Sequence, residues 1–317
     1  MKVNMRKLRN IFVVCCLAMF LWPTYMSAQD IRINLSRKNK DDNAGRNILV
    51  GDNLNYLQQV GENLVDVEGN LRKSVEFIAD PIHQGRAAGS TGERQVADYL
   101  YQQLVKSGVT MLVPEEGEDF FIAQNDTLHS RNIIGIIEGY DPLLKNEYVV
   151  IGANYDNIGT NEVIVDGVPQ LQIYPGANAN ASGCAALLEI AKEAQKESFM
   201  FRRSVIIAFF GADAQSTYGS WYFVNRAFPE VENIVGMINL SMIGKCDIED
   251  GIYAYLGGGN AELKAIVNYI SNRPLSIVPT VSPIDFAPAA HRNFYQKGIP
   301  VISLTGGRSK EYHTVKD

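Results

Sequence analysis

Several apolar runs of the sequence are followed by polar segments whose side chains could bind ligands or transfer protons. One segment contains Asn154 and Asp156, the stretch 175–183 is rich in asparagine and small residues, and the next contains Asp213. Three further segments contain Ser241, His291 and the run 312–314. Carboxylates and imidazoles bind metal ions and transfer protons. The residue types therefore indicate a hydrolytic or ligand-binding site.

The elements that position these segments are alternating strands and helices. Continuous β-branched runs predict strands buried on both faces, and apolar residues at helical spacing predict helices between them. The predicted strands are 132–139, 148–153, 204–211 and 234–240, and the predicted helices are 181–196, about 217–226 and 261–272. This alternation predicts an α/β fold with a mixed, mostly parallel central sheet flanked by helices. In such sheets the site lies beyond the carboxyl ends of the strands.

Composition excludes several classes of protein. The chain has 317 residues, of which 46% are hydrophobic and 20% charged, and this excludes disordered and collagen-like chains. The net charge is −6 and no long basic run lies outside the N-terminus, so no nucleic-acid partner is predicted. The sequence also contains neither a GxSxG elbow nor a GxxxxGK[ST] phosphate loop.

The N-terminus is typical of an export signal. Basic residues precede the apolar run 11–21, and Ser27-Ala28 forms a small-residue cleavage site. We predict a signal peptide over 1–28, a linker over 29–52 and one domain over 53–317, with the protein periplasmic or secreted and free of the membrane after cleavage. An uncleaved membrane anchor is the alternative.

Two cysteines, Cys184 and Cys246, remain after the predicted cleavage. Their spacing gives no CxxC motif, and two thiols do not make a disulfide scaffold. We predict that both are buried small apolar residues, with one disulfide as the alternative.

The order and spacing of the polar segments resemble those of the zinc-dependent aminopeptidases that carry two adjacent metals. The resemblance covers roughly Leu71 to Asp317. It implies a mixed sheet of about eight strands and two zinc ions that activate a water molecule. It also implies five metal ligands, in the order His, bridging Asp, Glu, Asp and His, and a Glu that acts as the base.

Most of these ligands are replaced in this sequence. The residues at the first four ligand positions are Asn154, Ala179, Ala214 and Ser241. Only His313 keeps the ligand that the resemblance implies. Asp213 stands at the position of the base, and Asp156 matches a residue that orients the first ligand. The resemblance also places His291, Asn178 and Asn180 in the cleft.

The replacements predict an inactive relative of these enzymes. Alanine offers no donor atom, and Ala179, Ala214 and Ser241 together remove three negative charges that would repel one another without a metal. We therefore predict a pseudopeptidase without a metal cofactor that binds a peptide or protein in the former cleft. The alternatives are a metal-dependent exopeptidase with residual or altered activity and a decaying gene product. The resemblance also implies that a final C-terminal helix of the family is missing after Asp317.

Overall fold

The structure is a computed structural model that describes residues 64–114, 118–121, 129–245, 251–271, 279–285 and 287–317. The predicted signal peptide 1–28, the linker 29–52 and Cys246 lie outside these residues. Among the residues described, no helix is both long and apolar enough to span a membrane.

A nine-stranded mixed sheet forms the centre of the fold. In chain order the strands are β1 (Thr110–Met111), β2 (Glu118–Phe121), β3 (His129–Ile137), β4 (Tyr148–Asn154), β5 (Thr160–Val165), β6 (Val168–Ile173), β7 (Ser204–Phe210), β8 (Ile234–Ser241), β9 (Tyr253–Leu256), β10 (Thr280–Ser282) and β11 (Val301–Thr305). The sheet order is β1-β3-β7-β4-β8-β11-β9-β10, with β2 beside β3, while β5 and β6 form a separate hairpin. The four central strands β7, β4, β8 and β11 are parallel, which confirms the predicted fold class.

Helices cover both faces of this sheet. They are α1 (Leu64–Ile78), α2 (Thr91–Lys106), α3 (Ser182–Lys196), α4 (Tyr218–Tyr222), α5 (Ala261–Ser271) and α6 (His291–Gln296). Helix α2 begins after Ser90, whose hydroxyl accepts a hydrogen bond from the backbone N of Glu93 at 3.1 Å, so this serine is the N-cap of the helix.

The side chains of β4 alternate between two apolar cores. Val149, Ile151 and Ala153 pack into the core formed with α1, α2, α3 and α5, whereas Val150 packs on the opposite face with Phe223 and Phe294. Each large apolar side chain buried in this way stabilises the fold by roughly 1.5–3 kcal/mol. Because both faces of β4 are buried, its sequence is a continuous apolar run without alternating polar residues.

The carboxyl ends of the parallel strands meet at one edge of the sheet. Strand β4 ends at Asn154, β7 leads into Gly211, and β8 ends at Ser241. The loop 174–181 reaches the same edge before α3 begins. The fold therefore brings together segments that are far apart in sequence.

Candidate functional site

A cleft of about 40 Å³ lies at this edge of the sheet. Seven residues singled out in the sequence line it, namely Asn154, Ala179, Asn180, Asp213, Ala214, Ser241 and His313. Asn157, Arg308 and Tyr312 also line it, together with the apolar run 287–289. The positions that the resemblance assigned to metal ligands thus surround one small space, which we call the cleft.

Amide groups connect the strand ends beneath the cleft. Asn180 Nδ2 donates to Asn154 Oδ1 at 3.1 Å and to the backbone O of Leu240 at 2.9 Å. Its Oδ1 accepts from the backbone N of Met242 at 2.9 Å. Asn154 Oδ1 therefore already accepts one hydrogen bond, and Asn180 joins the ends of β4 and β8.

Asp156 lies behind the cleft and fixes the loop that follows β7. Both of its carboxylate oxygens accept from the backbone N of Ala214, at 3.0 and 2.9 Å. Asn154 Nδ2 lies 3.4 Å from Asp156 Oδ1, so the orienting contact implied by the resemblance is made here to an amide. Burial raises the pKa of Asp156 to about 6.

Asp213 lines the cleft, and only one of its two carboxylate oxygens has a hydrogen-bond partner among the described residues. Its Oδ1 accepts from the backbone N and the hydroxyl of Ser220, at 2.8 and 2.7 Å. Its Oδ2 is buried, since the residue is only 3% exposed, and it has no hydrogen-bond partner in the described part of the chain. Burial raises the pKa of Asp213 to about 7. Asn157 Oδ1, on a residue that is 2% exposed, is likewise buried without a partner.

The loop that carries Asp213 approaches its neighbours closely. Asn132 Nδ2 donates to the backbone O of Gly219 at 3.0 Å, while Asn132 Oδ1 accepts from the backbone N of Gly211 at 3.3 Å. A Cβ atom at Gly219 would collide with the backbone O of Gly211. Glycine is therefore required at 219 for the two ends of the loop to meet.

His313 stands at the mouth of the cleft beside two other side chains. Its ring stacks on Tyr312 with a centroid separation of 3.8 Å, and the Arg308 guanidinium lies 5.2 Å from the Tyr312 ring. Burial, with a further contribution from the Arg308 charge, lowers the pKa of His313. The mouth of the cleft thus carries an exposed cation next to an imidazole.

Two residues predicted for the cleft lie behind its wall. Asn178 is buried, and its Oδ1 accepts from the backbone N of Gly244 and of Lys245 at 3.0 and 2.9 Å. His291 is 0% exposed at the start of α6, where its Nε2 lies 3.2 Å from Asp285 Oδ2. Neither residue lines the cleft.

Sequence reasoning assigned no role to Arg86, which supports the site from below. The side chain is 0% exposed and donates to the backbone O of Tyr155, Ile78, Pro175 and Gly176 at 2.7–3.0 Å. Burial lowers its pKa to about 10. Arg86 joins the segment after β4 to the loop before α3, and no local pattern in the sequence signals this.

Glu93 is the second supporting residue that sequence reasoning missed. Its carboxylate accepts from the hydroxyl of Ser130 at 2.6 Å and from the backbone N of Gly89 and Ala212 at 2.6 and 3.0 Å. Burial, followed by the charge of Asp156, raises the pKa of Glu93 to about 8. The Ser90-x-x-Glu93 spacing is a capping signature that marks this glutamate in the sequence.

Cys184 lies on the first turn of α3 beneath the cleft. The thiol is buried and free, and Sγ donates to the backbone O of Asn154 at 3.1 Å. Burial raises its pKa far above the ordinary value. It packs as the small buried residue that the sequence predicted.

Four curated proteins are similar to this chain, among them one from Escherichia coli and one from Streptomyces exfoliatus. YfbL from Escherichia coli strain K12, an uncharacterized protein, is 26% identical over 282 residues, which cover 78% of this chain and 80% of YfbL. Leupeptin-inactivating enzyme 1 from Streptomyces exfoliatus is 26% identical over 246 residues, which cover 77% of this chain. The chain spans about half (49%) of the length of the Streptomyces protein.

Solved structures of aminopeptidases share the fold. The LapA aminopeptidase of Legionella pneumophila superposes with a TM-score of 0.61 and 17% identity, covering 78% of this chain and 64% of LapA. The zinc aminopeptidase of Bacillus subtilis gives a TM-score of 0.59 and 14% identity, covering 78% of this chain and 88% of that protein. The mixed sheet and its flanking helices are therefore the architecture of these enzymes.

The prediction that this protein takes no metal cofactor is wrong by comparison with similar proteins, because the similar Bacillus subtilis protein is a zinc aminopeptidase and a similar exopeptidase from Parabacteroides distasonis is Zn-dependent. The side chains of this cleft nevertheless do not fit a pair of zinc ions. No group of three His, Cys, Asp or Glu side chains in the described ranges could hold one ion. In addition, Asn154 offers only a neutral amide oxygen that already accepts a hydrogen bond from Asn180, and Ala179 and Ala214 have no donor atom.

The sequence pattern of peptidase family M28 matches residues 132–317, which is more than half of the chain. This range contains every strand end that forms the cleft. Together with the shared fold, the match shows that the chain belongs to peptidase family M28.

Proposed function

We propose that this protein is a non-catalytic member of peptidase family M28 that binds the amino-terminal end of a peptide in its cleft. The observation that carries the proposal is the composition of the cleft wall. Four positions that would carry ligands have lost them, yet two residues that line the cleft, Asp213 and Asn157, each keep a buried acceptor oxygen without a partner in the described chain.

The loss of ligands supports the absence of catalysis. Hydrolysis by the two-metal route needs two ions held at a fixed separation, so that one water molecule is activated between them. Of the five groups that would hold the ions, only His313 remains. Asp213 is one methylene shorter than the glutamate base that the resemblance implies, so its reach towards a water molecule is also reduced.

The free acceptors support binding of a positively charged amine. A buried polar atom without a partner costs roughly 1–3 kcal/mol, and a ligand that donates a hydrogen bond recovers that energy. A peptide amine carries three donors and a positive charge, which suits a carboxylate and an amide oxygen. With about 40 Å³ of space, the cleft admits only the end group of such a ligand.

Export is part of the proposal, and the sequence of residues 1–28 supports it. A peptide-binding protein outside the cytoplasm would meet peptides from degraded protein. We propose no nucleic-acid partner, because the net charge of −6 is unfavourable for one.

A binding experiment with paired peptides tests the proposal. A fluorescent tetrapeptide with a free N-terminus is titrated with the protein, and its N-acetylated counterpart serves as the comparison. We expect acetylation to weaken binding by about tenfold or more, because it removes the charge and two donors. Asp213→Asn keeps an oxygen for Ser220 but replaces the free acceptor with a donor, so it should weaken binding similarly.

The matched control is Asp166→Asn, which removes one exposed carboxylate from the turn of the β5–β6 hairpin. It should bind the free peptide as the unmodified protein does. Equal affinity for the free and acetylated peptides, or no effect of Asp213→Asn, would refute amine binding in the cleft.

A further inference from the structure

A second cavity, of about 400 Å³, lies between α1, α2 and α3. Its volume falls in the range of small-molecule sites, roughly 300–1,000 Å³. Four of its lining residues are lysines, Lys73, Lys106, Lys192 and Lys196, and we call it the lysine cavity. The whole chain has a net charge of −6, so a local cluster of four lysines is opposite in sign to the protein as a whole.

The positive charge in the lysine cavity is only partly neutralised. Lys192 Nζ lies 3.8 Å from Glu189 Oε2, and Lys196 Nζ lies 2.6 Å from Glu193 Oε1. Lys73 and Lys106 have no carboxylate partner in the described ranges. Glu189 is the one acidic residue among those lining the cavity, so an excess of positive charge remains.

Neutral hydrogen-bonding groups accompany the lysines. The Ser74 and Tyr99 hydroxyls lie 3.1 Å apart, and both residues line the cavity. The Tyr99 ring stacks on Phe77 with a centroid separation of 4.1 Å, which fixes the position of its hydroxyl. Asn70 Nδ2 donates to Glu189 Oε2 at 3.4 Å and holds that carboxylate against the wall.

The lysine cavity is distinct from the cleft. Helix α3 begins at Ser182 beneath the cleft and ends at Lys196, a length of about 21 Å for 15 residues. No residue lines both spaces. The proposed ligand of the cleft is a cationic amine, whereas lysines attract an anion, so the two spaces would bind ligands of opposite charge.

We propose that the lysine cavity binds a phosphate group, carried either by a small polar molecule or by a lipid headgroup. Several lysine ammonium groups around one space suit the spread charge of a phosphate, since each lysine acts as a point charge. None of the lining residues is an arginine, so the cavity offers point charges and not the two-pronged geometry with which arginine pairs carboxylates and phosphates. One of the Ser74 and Tyr99 hydroxyls donates to the other, and this leaves one hydroxyl proton as a neutral donor for a phosphate oxygen.

Calorimetric titration with inorganic pyrophosphate tests the site in the full protein. The double variant Lys73→Ala/Lys106→Ala should weaken binding by about tenfold or more, because it removes both unpaired charges. Glu189→Gln should tighten binding, since it removes the opposing charge and keeps an oxygen for Asn70. The control Lys264→Ala/Lys297→Ala makes the same change of charge at exposed positions elsewhere and should leave the affinity unchanged.

Two further probes separate the sources of the phosphate. Binding of glycerol 3-phosphate would indicate a soluble ligand. Retention on phosphatidylcholine vesicles that contain phosphatidic acid would indicate a lipid headgroup, and the Lys73/Lys106 variant should lose either signal. Absence of binding by all three probes would overturn the proposal. Equal losses of affinity in Lys73→Ala/Lys106→Ala and in the control Lys264→Ala/Lys297→Ala would also overturn it. So would weaker pyrophosphate binding by a folded Glu189→Gln variant.

Discussion

Replacement of Arg86 by methionine tests whether one buried cation holds the site together. The side chain makes four hydrogen bonds to backbone carbonyls, at Ile78, Tyr155, Pro175 and Gly176. Bonds from a charged donor contribute roughly 1.5–3 kcal/mol each, and the variant would leave four carbonyls buried. The desolvation of the guanidinium, which lowers its pKa to about 10, offsets part of this gain. We therefore expect Arg86→Met to lower the free energy of unfolding by about 3–5 kcal/mol.

Urea denaturation followed by circular dichroism measures this change. The control is Arg72→Met, because Arg72 is exposed and reaches Glu68 only at 3.6 Å. It should change stability by about 0.5 kcal/mol or less. Arg86→Met should also weaken peptide binding, since Gly176 and Tyr155 flank segments that line the cleft. If the two variants had similar unfolding midpoints, the supporting role of Arg86 would be refuted.

Three further predictions concern the buried polar groups and the cleft. Burial raises the pKa of Glu93 from 4.5 to about 8, so its contribution to stability is full below about pH 4.5 and is lost as the pH rises through about 8. The free energy of unfolding of Glu93→Gln should consequently fall less over this range than that of the unmodified protein; parallel pH profiles would contradict this. Asn180→Asp should lower the free energy of unfolding by about 3 kcal/mol or more, because it places an oxygen against the backbone O of Leu240. The control Asn225→Asp changes an exposed residue and should have little effect. Equal unfolding midpoints of the two variants would contradict the role given to Asn180. Restoring the ligands should raise zinc affinity at least about tenfold over the unmodified protein, and a folded variant with unchanged affinity would mean that the positions no longer converge. The changes that restore ligands are Asn154→His, Ala179→Asp, Ala214→Glu and Ser241→Asp, and Asp213→Glu is added to recover the base.

The central sheet could be predicted because its strands are buried on both faces. The runs at 148–153 and 204–211 contain almost only apolar residues, and the observed strands end within one residue of them. Strands β9 and β10 and the β5–β6 hairpin could not be predicted in this way. The first two have four and three residues, and the hairpin is largely exposed, so no continuous apolar run marks it.

The residues that line the cleft could be predicted from the sequence, but the buried residues that support it could not. Asn154 and Ser241 occupy the ends of parallel strands, and the geometry of the sheet brings such ends together. Arg86 donates hydrogen bonds to segments up to 90 residues away along the chain. No local sequence pattern predicts such contacts. The lysine cavity depends in the same way on three helices whose packing brings Lys73, Lys106 and Lys192 together.

The most direct test of the account is a search for N-terminal cleavage. The purified protein is incubated with a mixed peptide library and added zinc, and the products are identified by mass spectrometry, with the similar Bacillus subtilis zinc aminopeptidase as the positive control. We predict that no peptide is shortened faster than with the His313→Ala variant. Zinc-dependent removal of N-terminal residues that Asp213→Asn abolishes would contradict the account and establish this protein as an active peptidase.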